Sequence, residues 1–184
     1  MKRIGLSLLL LLPALALAGT KPVSCDLGPA KQPRVAEVSR AGKIEDTYVY
    51  SLRQGKAAKA TLWGGESDDS RGSEVKVKCV GDRQRALAVM GDFMSAGYPR
   101  GLVLVYDTGR RAYERFDFAE RNAPGWLYLG AKDRLLVFPP GGRLETERRY
   151  LVYRFAAGAG QDNSEEMVDA LPKADGYRVI KIDL

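Results

Sequence analysis

Asp107-Thr108-Gly109 follows the apolar run Leu102-Val103-Leu104-Val105-Tyr106, in the spelling and placement of an aspartic-protease triplet. That chemistry needs two carboxylates sharing one proton. The chain holds a single Asp-Thr-Gly, and Arg110 and Arg111 come next. Guanidinium groups beside an aspartate keep it ionised and oppose proton sharing. The same residues make a good hairpin turn, with Asp bonding its own backbone and Gly taking positive φ. The turn is the expected role.

Three other groupings invite chemistry. Met94-Ser95-Ala96-Gly97 resembles part of a nucleophile elbow, but Phe93 stands where the first glycine belongs and no helix is expected to follow. Glu66-Ser67-Asp68-Asp69-Ser70 offers oxygens to calcium without the spaced carboxylates and central glycine of an EF-hand loop. A solvated acidic loop is expected, and cation binding there stays open. Glu114 and Asp117 have the look of a glycosidase pair, yet residues three apart in a strand face opposite sides. They are expected to be solvent-side or edge charges.

The chain contains no histidine. This removes Ser-His-Asp and Cys-His catalysis and most zinc and copper sites. Paired carboxylates, a lysine base or a hard-cation site remain. The expectation is a protein that binds rather than catalyses, with no catalytic residues, no metal and no cofactor.

The compartment follows from the start of the chain. Met1-Lys2-Arg3 is a basic n-region, Leu8–Leu17 is apolar, and Ala16-Leu17-Ala18 has the small-x-small pattern of a cleavage site. Residues 1–18 are therefore expected to be a cleavable secretory signal, placing the mature protein in the periplasm. The apolar run is shorter than the ~20 residues that span a bilayer, and no transmembrane segment is expected later. Cys25 lies too far beyond Ala18 for lipid attachment. In an exported chain, the even pair Cys25 and Cys79 reads as a disulfide. It would close a loop of about 54 residues, worth ~4 kcal/mol on chain-entropy grounds.

The formal charge of +6 drops when Lys2 and Arg3 leave with the signal, and the remaining cations are interspersed with acids. There is no dense basic stripe, so nucleic acid is not an expected partner. An anionic envelope surface or an acidic protein partner remains compatible. Oligomeric state is not legible.

The elements that must position these residues are short and β-like. Residues 19–46, with Pro22, Pro29 and Pro33, read as an extended N-terminal arm. Residues 47–184 read as a single β domain. Thr47–Leu52, Lys59–Trp63, Glu74–Val80, Arg85–Met90, Leu102–Tyr106, Ala112–Phe118, Trp126–Leu129, Arg134–Phe138, Tyr150–Phe155 and Tyr177–Ile182 are strand candidates separated by turn signals. Glu165–Leu171, ended by Pro172, reads as one short helix near the C-terminus. With no helices between strands, the fold class is all-β: an antiparallel meander, small or irregular and β-propeller-like, with a β-sandwich as the alternative.

Gly91–Gly101 reads as a loop between two strong strands. Rigid sheets present binding residues on such loops. Asp92, Phe93, Met94, Ser95, Tyr98 and Arg100 mix apolar anchors with polar groups, as interface hot spots do. They are the expected partner-binding residues.

The stretch Met90-Gly91-Asp92-Phe93-Met94-Ser95, with Leu102-Val103-Leu104-Val105-Tyr106-Asp107, resembles periplasmic immunity proteins that neutralise type VI secreted peptidoglycan amidases. That resemblance implies a propeller-like sheet whose serine-bearing loop enters the amidase cleft. Ser95 would enter, with Asp92, Phe93 and Tyr98 around it. The expected function is thus an inhibitor of a cell-wall hydrolase. The alternative is an envelope scaffold or assembly factor contacting peptidoglycan or membrane machinery.

Overall fold

Short β-prone runs broken by turn residues become strands that pair antiparallel with their neighbours. The computed structural model describes residues 21–94, 97–141, 148–158 and 161–184. The expected signal, residues 1–18, and Ser95 lie outside the described residues.

One eight-stranded sheet runs in the order β1-β2-β3-β5-β6-β7-β8, with β4 paired to β3. Its strands are β1 (Val23–Asp26), β2 (Val35–Ile44), β3 (Thr47–Gln54), β4 (Ala60–Thr61), β5 (Arg71–Val80), β6 (Ala86–Phe93), β7 (Arg100–Asp107) and β8 (Ala112–Ala119). A five-stranded sheet is ordered β12-β11-β10-β9-β13. It comprises β9 (Trp126–Leu129), β10 (Asp133–Phe138), β11 (Tyr150–Ala156), β12 (Asn163–Val168) and β13 (Arg178–Lys181).

The apolar runs Ala86–Met90 and Leu102–Tyr106 explain how these sheets stack. A strand covered on both faces needs apolar residues at nearly every position. Alternate residues of β6 and β7 enter two different cores. Ala86, Ala88, Val103 and Val105, with Phe116 and Phe118, meet Leu136, Phe138, Tyr153 and Phe155 of the second sheet. Leu87, Val89, Leu102 and Leu104 meet Ala36, Val38, Tyr50 and Leu52 from β2 and β3 of their own sheet.

The first sheet therefore folds back over itself. The bend falls between β3 and β5, where pairing is limited to Tyr48↔Gly72 and Val49↔Arg71. The Cys25–Cys79 disulfide joins β1 to β5 across this fold, with Cα atoms 5.4 Å apart. Beyond the second sheet, Tyr128, Leu135, Val137 and Val152 form a further cluster with Trp126, Tyr150, Val168 and Tyr177.

Two expectations change. The expected helix over Glu165–Leu171 is not formed. Asn163–Val168 is an edge strand paired to β11, followed by an irregular passage to β13. Helix propensity is a weak prior, and here the exposed edge of β11 gains a full ladder of hydrogen bonds. The N-terminal segment is extended, as expected, but is part of the β sheet rather than an arm outside it. Ala36 and Val38 of β2 are core residues, and Asp26 closes the β1–β2 connection by accepting from the Gly28 and Arg34 N–H groups at 3.0 and 2.7 Å. Among the described residues, no helix is long and apolar enough to cross a membrane.

Candidate functional site

The β6–β7 connection is shorter than expected. β6 continues through Asp92 and Phe93, and β7 already includes Arg100. Its stem is fixed by packing. Phe93 is 3% exposed, so it packs within the stem rather than projecting at the tip. Its ring stands edge-on to Trp63 at 5.3 Å and to Tyr50 at 5.9 Å. Gly101 lets Phe118 lie against β7, since a Cβ there would fall 2.1 Å from the Phe118 ring.

The tip behaves differently. Met94 is 70% exposed and Tyr98 49% exposed, while Asp92 is also exposed. The Met94 N–H donates to the Arg71 carbonyl at 3.1 Å. The Arg71 guanidinium donates to the Gly42 carbonyl at 2.9 Å and to Asp68 at 3.0 Å. The β6–β7 tip, the last residues of β2 and the acidic segment thus meet at one arginine. Residues 67–70 form a 3-10 turn.

A cleft that sequence reasoning missed opens beside the stem, lined by Thr61, Leu62, Trp63, Gly64, Arg100, Arg115, Asp117 and Gln161. The Arg100 guanidinium carbon lies 4.3 Å from the Trp63 ring centroid and that of Arg115 5.1 Å from it. Arg115 Nε donates to Asp117 at 2.7 Å. Burial pushes the Asp117 carboxyl above the ordinary range; the Arg115 charge opposes this without cancelling it. Gln161 covers the β8 edge with both ends of its amide, accepting from the Asp117 N–H and donating to the Arg115 carbonyl, each at 3.0 Å. Strand phase brings the arginines together: Leu102 faces Asp117 and Leu104 faces Arg115 across β7–β8, placing Arg100, Arg115 and Asp117 on the face toward Trp63.

A second charged cluster lies between the sheets, at the far end of β7. Arg134 Nε donates to Glu114 at 2.7 Å, and its Nη2 donates to Asp107 at 2.8 Å. The same guanidinium donates to the carbonyls of Gly130 and Asp133. Side-chain exposure is 7% for Arg134 and 8% for Glu114. Glu114 is therefore not the solvent-side charge expected, because it shares the inward phase of Phe116 and Phe118. That phase, matched by Arg134 with Leu136 and Phe138, was the available signal.

Asp107 also serves as the turn residue expected, accepting from the Gly109 and Arg110 N–H groups at 2.7 and 3.1 Å. Burial works to raise its pKa, but the Arg110 backbone and side chain, the Gly109 N–H and the Arg134 charge together hold it low. The positive φ falls on Arg111 at 55° rather than on Gly109. Among the described residues, no set of three or more His, Cys, Asp or Glu side chains converges as a metal site.

No family model, no curated protein and no solved structure matches this chain.

Proposed function

We propose that this chain is an exported, non-enzymatic binding protein of the periplasm that inhibits a cell-wall-degrading enzyme by inserting its β6–β7 loop. The observation that carries the reading is the contrast between stem and tip. β6 and β7 are buried on both faces, while Met94 and Tyr98 project from their connection. A rigid stem lowers the ordering cost of presenting exposed anchors to a partner. Ser95, between those anchors, is the residue assigned to the partner's cleft. The basic–apolar–small order of residues 1–18 supports export, and a disulfide at Cys25–Cys79 suits an oxidising compartment.

In finer architectural terms, β5–β8 form a blade-like antiparallel unit, with β1–β4 on one face and the second sheet on the other. This is the sense in which the fold is read as irregular and propeller-like.

The test is inhibition of a purified peptidoglycan amidase of the type VI secreted class. The wild-type chain should abolish cleavage near stoichiometric ratio. The combined variant Met94→Ala, Ser95→Ala, Tyr98→Ala should inhibit at least about tenfold less well, as loss of hot-spot anchors does, with an unchanged melting temperature. Absence of inhibition by the wild type would defeat the inhibitor reading. Equal inhibition by the variant would defeat the loop assignment.

A further inference from the structure

We infer that the cleft between Trp63 and β8 receives a carboxylate carried by the partner protein, held by Arg100 and Arg115 over the Trp63 ring. The inference rests on the inhibitor reading and adds the chemistry of a second contact. The charged residues lining the cleft are Arg100, Arg115 and Asp117, so the lining carries a net positive charge. One incoming carboxylate would balance it.

The two guanidiniums lie 4.3 and 5.1 Å from one indole ring. Stacking uses a guanidinium's face and leaves its N–H groups pointing sideways, where a carboxylate can accept them in a fork. Arg115 commits Nε to Asp117, leaving its terminal nitrogens for a second acceptor. Arg100 already makes contacts within the protein. A guanidinium has five N–H donors, so these need not exhaust it.

The loop places the ligand. The cleft is continuous with it. Phe93, on one side of the stem, and Arg100, on the other, both contact Trp63. Tyr98 and Arg100 flank Pro99, so a protein covering the exposed Tyr98 comes within reach of the cleft. An acidic side chain or a chain terminus on that protein would supply the carboxylate.

The test uses the mature chain carrying Trp126→Phe, which leaves Trp63 as the sole tryptophan. Its emission is followed during titration with N-acetyl-glutamate N-methylamide, with the uncharged glutamine analogue and with inorganic phosphate, all at constant ionic strength. The glutamate analogue should give a saturable change. Arg100→Gln with Arg115→Gln should weaken it roughly tenfold or more, the scale of losing charge-assisted hydrogen bonds. The single variant Arg115→Lys, which keeps the charge, should weaken it while leaving the melting temperature within a few degrees.

An equal response to the glutamine analogue, or an undiminished one in both arginine variants, overturns the inference. Phosphate binding tighter than the carboxylate overturns the ligand class. In the amidase assay, Arg100→Gln with Arg115→Gln should reduce inhibition. Normal inhibition by that variant sinks the cleft and leaves the loop standing. A carboxylate response without any amidase inhibition by the wild type sinks the inhibitor reading instead.

Discussion

Arg134 and Arg115 each sit beside a carboxylate of the β7–β8 hairpin, in opposite circumstances. Arg134 lies between two sheets, and two carboxylates and two backbone carbonyls take up its donors. It joins the sheets, and an incoming group would have to break hydrogen bonds to reach it. Arg115 lies at the margin where β1–β4 stop short of covering β8, stacked near an indole and paired to one carboxylate. The same side chain is a clamp where its donors are consumed within the core and an accessible cation where the packing leaves it at the margin. Burial and local charge balance make that difference; residue type does not.

The strongest way to break this comparison is Arg134→Ala. Removing Arg134 takes the 2.7 Å partner from buried Glu114 and leaves it and the half-buried Asp107 to Arg110 alone, which lies 3.6 and 3.0 Å from them, a loss toward the lower end of the ~3–5 kcal/mol seen for broken buried pairs. Chemical denaturation should show it as a large fall in midpoint. A change under about 1 kcal/mol would mean that water reaches this cluster and that it resembles the surface pairs.

The carboxylates sharpen the comparison through pH. Asp107 should titrate below the ordinary aspartate value of about 3.9 and Asp117 above it, with side-chain carboxyl carbon shifts as the readout. A depressed folded pKa gives stability that is present above the unfolded value and lost as pH falls through the folded one. Asp107 therefore adds to acid lability, and Asp107→Asn should flatten the stability curve below about pH 4. Asp117 has the opposite sign: its contribution declines as pH rises from the unfolded value through the elevated folded one. If the two midpoints are inverted, the two environments have been misassigned.

The smallest expected effect concerns the loop tip. Met94→Ala and Tyr98→Ala remove exposed side chains and should each shift stability by no more than about 0.5 kcal/mol. Phe93→Ala, in the stem beside them, should cost about 3–5 kcal/mol, as buried aromatic truncations do. Thermal melts of the three variants test whether stem and tip are as distinct as their exposure implies.

Much of the sheet framework was legible because it depends on neighbours in the chain. The continuous apolar phase of Ala86–Met90 and Leu102–Tyr106 marks strong strands, and Asp107-Thr108-Gly109 marks their turn. The cysteine pair was legible by parity and by the compartment expected from the first residues. The run ending in Ser164-Glu165-Glu166-Met167-Val168 was misread because its composition favours helix, while the open edge of β11 was invisible. The β2 strand was obscured by nearby prolines and by small Ala36 at a core position. At the site, Met94 and Tyr98 were recognisable as exposed loop residues. Apolar character alone does not separate a tip residue from a stem residue such as Phe93.

Hydrophobic period, turn chemistry and cysteine count belong to the sequence by itself. They determined the all-β class, the β6–β7–β8 hairpins and the disulfide, since each acts over a few residues or by simple pairing. The folding back of the first sheet, and which charges then meet, were decided by tertiary structure. Trp63 reaches Arg100 and Arg115, and Arg134 reaches Glu114, through the packing of layers far apart in the chain. Strand phase says which face a charge occupies. It leaves open what lies opposite, and that neighbour decides whether an arginine clamps the core or remains available to a partner.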